Sequence, residues 1–206
     1  MLLDMHMHEK TYSPDSVLSL EEMVTIAREK GLDGICITDH DSMGLKGYAE
    51  EFSRKTGFPI FVGIEFFSLQ GDIVAFGIDE YPDHRVDAQT FINYVRARDG
   101  ITISAHPFRN NQRGLKEHLL EVTGLDAVEV LNGSTLPDAT SLAAQYTAKL
   151  GLGAVGASDC HVPRTVGICA TWFPGEVRSM QELIRAVRAK ESAPAYYSGS
   201  YHIYEL

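Results

Sequence analysis

Two histidines two residues apart, His6 and His8, stand near one end of this sequence, and a second pair with the same spacing, Asp159 and His161, lies near the other. On an extended strand, residues i and i+2 point to one face, so each pair can present two ligand atoms to one cation. Asp39, His40, Glu65 and His106 lie between them, each where a short apolar run stops. Imidazole nitrogens mixed with carboxylate oxygens suit zinc, manganese or iron, whereas an all-oxygen set would point to magnesium or calcium. A lone histidine is more often structural than ligating. Five histidines and three carboxylates at strand ends shift that balance, because burying them together without compensating charge would be costly.

The remaining histidines carry less weight. His84 sits in the polar run DEYPDHRVD, His118 on an expected helix and His202 in the tail, and all three are read as non-ligands. Cys160 lies between two candidate ligands, but strand alternation turns it to the opposite face, as a buried bystander. Arg109 follows AHPF and Arg164 follows SDCHVP, so each leaves a strand end where a guanidinium could grip phosphate oxygens bidentately. Lys46, Asn110, Asn111 and Asn132 are explained equally well by surface or turn roles.

Placing these side chains together requires strands that alternate with helices, and the apolar periodicity supplies them. Strands are expected at 2–7, 34–38, 60–67, 73–78, 101–105, 127–131 and 153–157. Helices are expected from Ser19 to Gly31, where Ser19 and Glu22 form a capping box, and at 45–56, closed by Gly57. Further helices fall at 88–98, 115–122, 138–150 and 180–190, and the tail AYYSGSYHIYEL alternates like an edge or closing strand. At least six strand–helix units in 206 residues suit a small, irregular barrel better than an open sheet, and C-terminal strand ends of such a barrel converge on one face. No linker, repeat or low-complexity stretch divides the chain, so residues 1–206 are read as a single α/β domain.

The net charge of −10 supplies no basic surplus to displace counterions from nucleic acid or an anionic membrane, which favours small substrates over polymers. Three cysteines without a CxxC pair suggest neither a disulfide framework nor a thiolate zinc site. With no basic-then-apolar leader and no long apolar run, a cytoplasmic protein without membrane contact is the expectation.

Taken together, DMHMH (4–8), YSPDS (12–16), ITDHD (37–41), GIE (63–65), AHP (105–107) and SDCH (158–161) resemble the motifs of the polymerase and histidinol phosphatase (PHP) superfamily, in that family's order. The resemblance implies a distorted seven-stranded, TIM-like β/α barrel with two to three divalent metal ions, usually manganese, zinc or iron. It assigns His6, His8, Glu65 and Asp159 to one metal, and His40, His161 and Asp15 to a second. Glu65 as a bridge and His106 match a third, whose remaining histidine has no counterpart, since DIVAFGID offers Asp72 and Asp79 instead. Aspartate at position 15 matches the branch resembling nucleotide phosphatases. Asp4 and Asp39 are expected to orient ligand histidines through the free ring nitrogen.

The implied activity is hydrolysis of a small phosphate ester, with a nucleotide-like phosphomonoester favoured, by a metal-activated hydroxide at a di- or trinuclear centre. Two other classes compete: a non-catalytic metal-binding module used in protein assembly, and a single-strand nuclease. The nuclease is disfavoured by the acidic balance and by the lack of an aromatic and basic groove pattern. Amide or lactone hydrolysis would call for a lysine ligand at a strand end, which is not found.

Overall fold

The computed structural model describes residues 1–206. The first sheet is built around β1 (Leu2–Met7), which pairs in parallel with β2 (Gly34–Ile37), itself parallel to β3 (Ile60–Val62). On the other side β1 meets β9 (Cys169–Trp172), β10 (Ala193–Tyr197) and the edge strand β11 (Tyr201–Ile203), paired antiparallel in succession. The second sheet runs β4 (Ile64–Phe67), β5 (Asp72–Phe76), β6 (Ile101–Ser104), β7 (Ala127–Asn132) and β8 (Gly153–Ala157). Within it only β5 runs antiparallel to its neighbours.

The expected seven-stranded barrel is corrected here, because the ladder does not close. The strands form one six-stranded and one five-stranded sheet, tied by two isolated bridges, Met7 with Cys160 and His40 with Glu65. The break falls at Gly63, inside the run expected as one strand over 60–67. A Cβ at Gly63 would lie 2.3 Å from the Ala75 carbonyl oxygen and 2.5 Å from the Phe76 ring. The chain therefore passes close against β5 there and changes partner, from β2 on one side of the glycine to β5 on the other. The short strand β9 carries no distinct periodic signal in the sequence. The segment expected as a helix over 115–122 is a single 3₁₀ stretch, Lys116–Leu120.

Helices cover the outer faces. Ser19 caps α1 (Leu20–Glu29) by accepting from the Glu22 N–H, and Gly57 closes α2 (Lys46–Thr56) in the left-handed conformation. Met23, Val24 and Ala27 of α1 and Ala49 of α2 pack with Ile35 and Ile37. Phe91, Ile92 and Val95 of α3 (Ala88–Arg96), with Ala143 of α4 (Pro137–Leu150), pack with Ile73, Ala75, Val128 and Val130. A third cluster is shared by strands of both sheets, including Leu3, Met5, Cys36, Phe61, Val74, Ile103 and Val155, together with Leu183 and Val187 of α5 (Met180–Ala189). Each Val, Leu, Ile, Phe or Met among them contributes about 1.5–3 kcal/mol on burial. No helix is long and apolar enough to cross a membrane.

The direction of the strands decides what meets. The parallel strands of both sheets end at one rim, and β5, running the other way, starts there with Asp72. Gly63→Ala would remove the close approach at the crossing between sheets. Urea unfolding should show a loss of about 2–4 kcal/mol, and an unchanged midpoint would refute the account of the sheet break.

Candidate metal centre

The residues at this rim converge on one another. The Nε2 atoms of His6 and His8 are 2.9 Å apart, and Asp159 Oδ1 lies 3.1 Å from the second and 3.6 Å from the first. Glu65 stands in the middle: its Oε1 is 2.9 Å from His106 Nε2 and 3.5 Å from His6 Nε2, and its Oε2 is 2.6 Å from His40 Nδ1. Asp15 Oδ2 completes the outer side, 3.2 Å from His40 Nε2 and 3.3 Å from His161 Nε2. Three groups of ligand atoms are each compact enough to hold an ion: His6, His8 and Asp159; His6, Glu65 and His106; and His8, His40 and His161. The structure thus brings all eight candidate ligands to one place, with His84, His118 and His202 outside it.

Local backbone geometry aims these side chains. The β1–β2 register shifts by one residue between Asp4 and Met7, a bulge that spans His6. Past the ends of β6 and β8, His106 (φ +28°) and Asp159 (φ +50°) occupy the left-handed region, at about 1–3 kcal/mol each. From there His106 Nε2 reaches Glu65 Oε1 and Asp159 Oδ1 reaches His8 Nε2.

Hydrogen bonds fix which imidazole nitrogen faces the centre. The Ser13 hydroxyl donates to Asp39 Oδ1 (2.9 Å) and so is left to accept from His8 Nδ1 (3.1 Å), which leaves His8 Nε2 with a free lone pair. Glu129 Oε1 accepts from His6 Nδ1 (2.9 Å), while its Oε2 accepts from the His106 N–H (2.7 Å) and from Asn132 (2.9 Å). Burial pulls the His6 pKa down, but Glu129, Glu65 and Asp159 outweigh it and push it well above the usual range. Burial lowers His8 to about 4. The two Nε2 atoms, 2.9 Å apart, both face the centre.

The same balance runs through the carboxylates. Burial would raise Glu65 and Asp159, yet His6 with the neighbouring imidazoles holds both well below the ordinary range. His40 is opposed by burial and still rises to about 9 beside Glu65 and Asp15. Protons on imidazoles thus neutralise buried carboxylates, a task that divalent cations perform through the same nitrogens. One further observation fits a metal: His40 Nδ1 and Glu65 Oε2 approach to 2.6 Å but are not aligned as a hydrogen bond, so both remain buried without a partner.

Several expectations change. Asp4 orients no ring. It is buried, with its pKa pushed up to about 7, and it accepts from the backbone N–H groups of His6, Ser158 and Gly167. Asp39 reaches His8 only through Ser13. The carboxylate outside the ligand set that hydrogen-bonds a ligand ring is Glu129, a residue hidden in the sequence because it lies inside the apolar strand AVEVLN. Its one sequence signal is an acidic residue at a buried strand position. Of the two aspartates near β5, Asp72 enters the site and Asp79 pairs with Lys46 at the surface. Cys160 is buried beside the centre, and burial raises its thiol well above the usual range.

Over the centre lies a cleft of about 560 Å³ in which Val162 is the single apolar lining residue. Arg109 and Arg164 both line it, as does Arg113, which was not singled out from the sequence. Arg109 donates to Asp159 Oδ2 at 2.6 Å. Asn111 is also at the cleft wall, whereas Asn132 faces Glu129.

Residues 137–192 match the family model described as PHP-associated. The chain is 25% identical over 142 residues to the uncharacterized protein MJ1587 of Methanocaldococcus jannaschii, an alignment covering 64% of this chain and 82% of that one. Its fold is similar to a two-domain protein from Bacteroides vulgatus containing a predicted PHP-like metal-dependent phosphoesterase, with a TM-score of 0.77 and 21% identity over 96% of this chain and 65% of that one. The chain thus spans just under two thirds of that protein. A third similarity is to the lesion-specific endonuclease PfuEndoQ of Pyrococcus furiosus, with a TM-score of 0.70 and 16% identity over 98% of this chain and 58% of that one.

Two outcomes are expected. Because His40 is protonated at pH 7 and must lose a proton to ligate, adding Mn²⁺ to metal-stripped protein should release at least about one proton per chain, and affinity should fall as pH is lowered; a dye-monitored titration without proton release would contradict this charge balance. Glu129→Gln should weaken Mn²⁺ binding about 10–100-fold with the fold retained, as read by calorimetry and circular dichroism.

Proposed function

We propose that this chain, a member of the PHP superfamily, is a hydrolase that cleaves a small phosphate ester using two or more divalent cations, with a nucleotide-like phosphomonoester as the favoured substrate. The observation that carries this reading is the convergence of five imidazoles with Glu65, Asp159 and Asp15 beneath a cleft lined by three arginines. His6, His8, Glu65 and Asp159 would hold one cation, and His40, His161 and Asp15 a second. When bound, such cations lower the pKa of a water and polarise the phosphoryl oxygen, with manganese, zinc or iron suited to this donor set.

The chain's own residues do the rest. Glu129 and Ser13 keep the Nε2 lone pairs of His6 and His8 turned inward. Arg164, at the cleft wall, can meet phosphate oxygens with its forked donors. Arg109 is partly engaged by Asp159, so it can grip substrate and steady that carboxylate together. Ser134 and Thr165 add neutral hydrogen-bonding groups. The nearly all-polar wall offers little surface for stacking a base, so recognition rests on the phosphate. Asp15, 58% exposed between His40 and His161, stands at the mouth, where the leaving group would depart. Its identity as aspartate supports the nucleotide phosphatase-like branch.

A second reading, a nuclease on single strands, is favoured by the structural similarity to an endonuclease and by the three cleft arginines, and opposed by the charge of −10. One experiment separates these: metal content by elemental analysis, with phosphate release from nucleotides, sugar phosphates and single-stranded oligonucleotides under added Mn²⁺ or Zn²⁺. Turnover on monoesters is expected. His8→Ala should abolish turnover and lower the metal content together, and Arg164→Ala should lower kcat/KM about 10-fold or more at unchanged metal content. Metal uptake without turnover on any substrate would shift the assignment to a non-catalytic module.

A further inference from the structure

We propose that the guanidinium of Arg113 takes the place of a third cation, so that the centre holds two divalent ions; this rests on the metal-centre reading above. Glu65 Oε1 and His106 Nε2, 2.9 Å apart, are the beginnings of a third site, but His6, the other ligand within reach, is shared with the group formed by His8 and Asp159. A third ion therefore needs another oxygen. Beyond Glu65, two carboxylate oxygens stand near His106 Nε2: Asp159 Oδ2 at 3.8 Å, which already accepts from Arg109, and Asp72 Oδ2 at 3.9 Å.

The Asp72 oxygen is taken as well. Arg113 Nε donates to it at 2.6 Å, and the Asp72 N–H donates to the Arg113 carbonyl, also at 2.6 Å, so side chain and backbone lock the two residues reciprocally. The surrounding packing builds this arrangement in. A Cβ at Gly71 would lie 2.6 Å from the Gly114 carbonyl carbon, and one at Gly114 only 2.2 Å from the Pro107 carbonyl oxygen, so glycines let the loop after β6 press against the start of β5. The Arg113 N–H is held by Asn111 Oδ1 at 3.0 Å. Its guanidinium stacks 4.0 Å from the Phe67 ring centroid, and Arg85 lies 3.6 Å from the same centroid while donating to the Phe67 and Ser68 carbonyls.

A cation fixed in this way supplies the positive charge that Asp72 requires, and it repels a divalent ion placed beside His106. Removing Arg113 would free Asp72 Oδ2 on the side facing His106, and because Oδ1 is already buried without a hydrogen-bond partner, the whole carboxylate would then be left without a cation.

The test is to strip the protein, reload it with Mn²⁺ and count tightly held ions per chain by elemental analysis after desalting, with calorimetric titration as a second count. Two ions are expected for the unaltered chain and three for Arg113→Ala. If Arg113→Ala does not fold, Arg113→Gln keeps the stem over Phe67 without the charge and should likewise gain one ion. Three ions in the unaltered chain, or no gain in a folded variant, would overturn the assignment of Arg113. No ion in the unaltered chain would instead sink the metal-centre reading itself.

Discussion

Glu65 and Asp159 are taken almost completely out of water, at 1% and 3% exposure, and the site is organised around keeping them charged. A buried carboxylate left alone takes up a proton, because desolvation penalises the ionised form. Here five imidazoles crowd the two acids closely enough to reverse that tendency, and the acids in turn hold His6 and His40 protonated. Much of the compensating positive charge is carried by exchangeable protons on nitrogen, with Arg109 adding a fixed cation at Asp159. Those nitrogens are metal ligands in their neutral form, so the arrangement that balances charge without a cation is also poised to accept one.

Two features keep the cluster from relaxing into an ordinary hydrogen-bonded core. Glu129 and Ser13 bind the outer ring nitrogens of His6 and His8, so the inner nitrogens cannot turn away to find other partners. The backbone at His106 and Asp159 is held in a conformation that non-glycine residues avoid, which the packed strand ends must sustain. Positioning and charge are therefore supplied by separate parts of the fold. Residues such as Ser13, Asp4 and Glu129 serve the first without lining the cleft.

Much of the site was legible in the sequence because its residues obey a local rule. Histidines and carboxylates stand where apolar runs stop, and the two-residue spacing of His6 with His8 and of Asp159 with His161 specifies a common face before any partner is known. The helix limits were legible for the same reason: Ser19 and Gly57 act within one turn of their own helices. What escaped depends on distant neighbours. Glu129 looks like one polar residue in an apolar strand until β7 lies beside His6, which is 123 residues away. Gly63 reads as part of a continuous strand until the Ala75 carbonyl occupies the space its Cβ would need.

Asp72 shows where the division lies. Residue type marked it as one of two acids near an expected strand, and nothing local distinguished it from Asp79. The antiparallel direction of β5 decides between them, since it brings the start of that strand, rather than its end, to the rim where the parallel strands finish. By itself the sequence determined the donor atoms, their spacing and the helices and most of the strands that carry them, because these follow from side-chain chemistry and backbone periodicity. Tertiary structure alone decided which acid joins the centre, which carboxylate steadies His6 and how the strands divide into two sheets, because strand direction and close backbone approach are set by residues far apart along the chain.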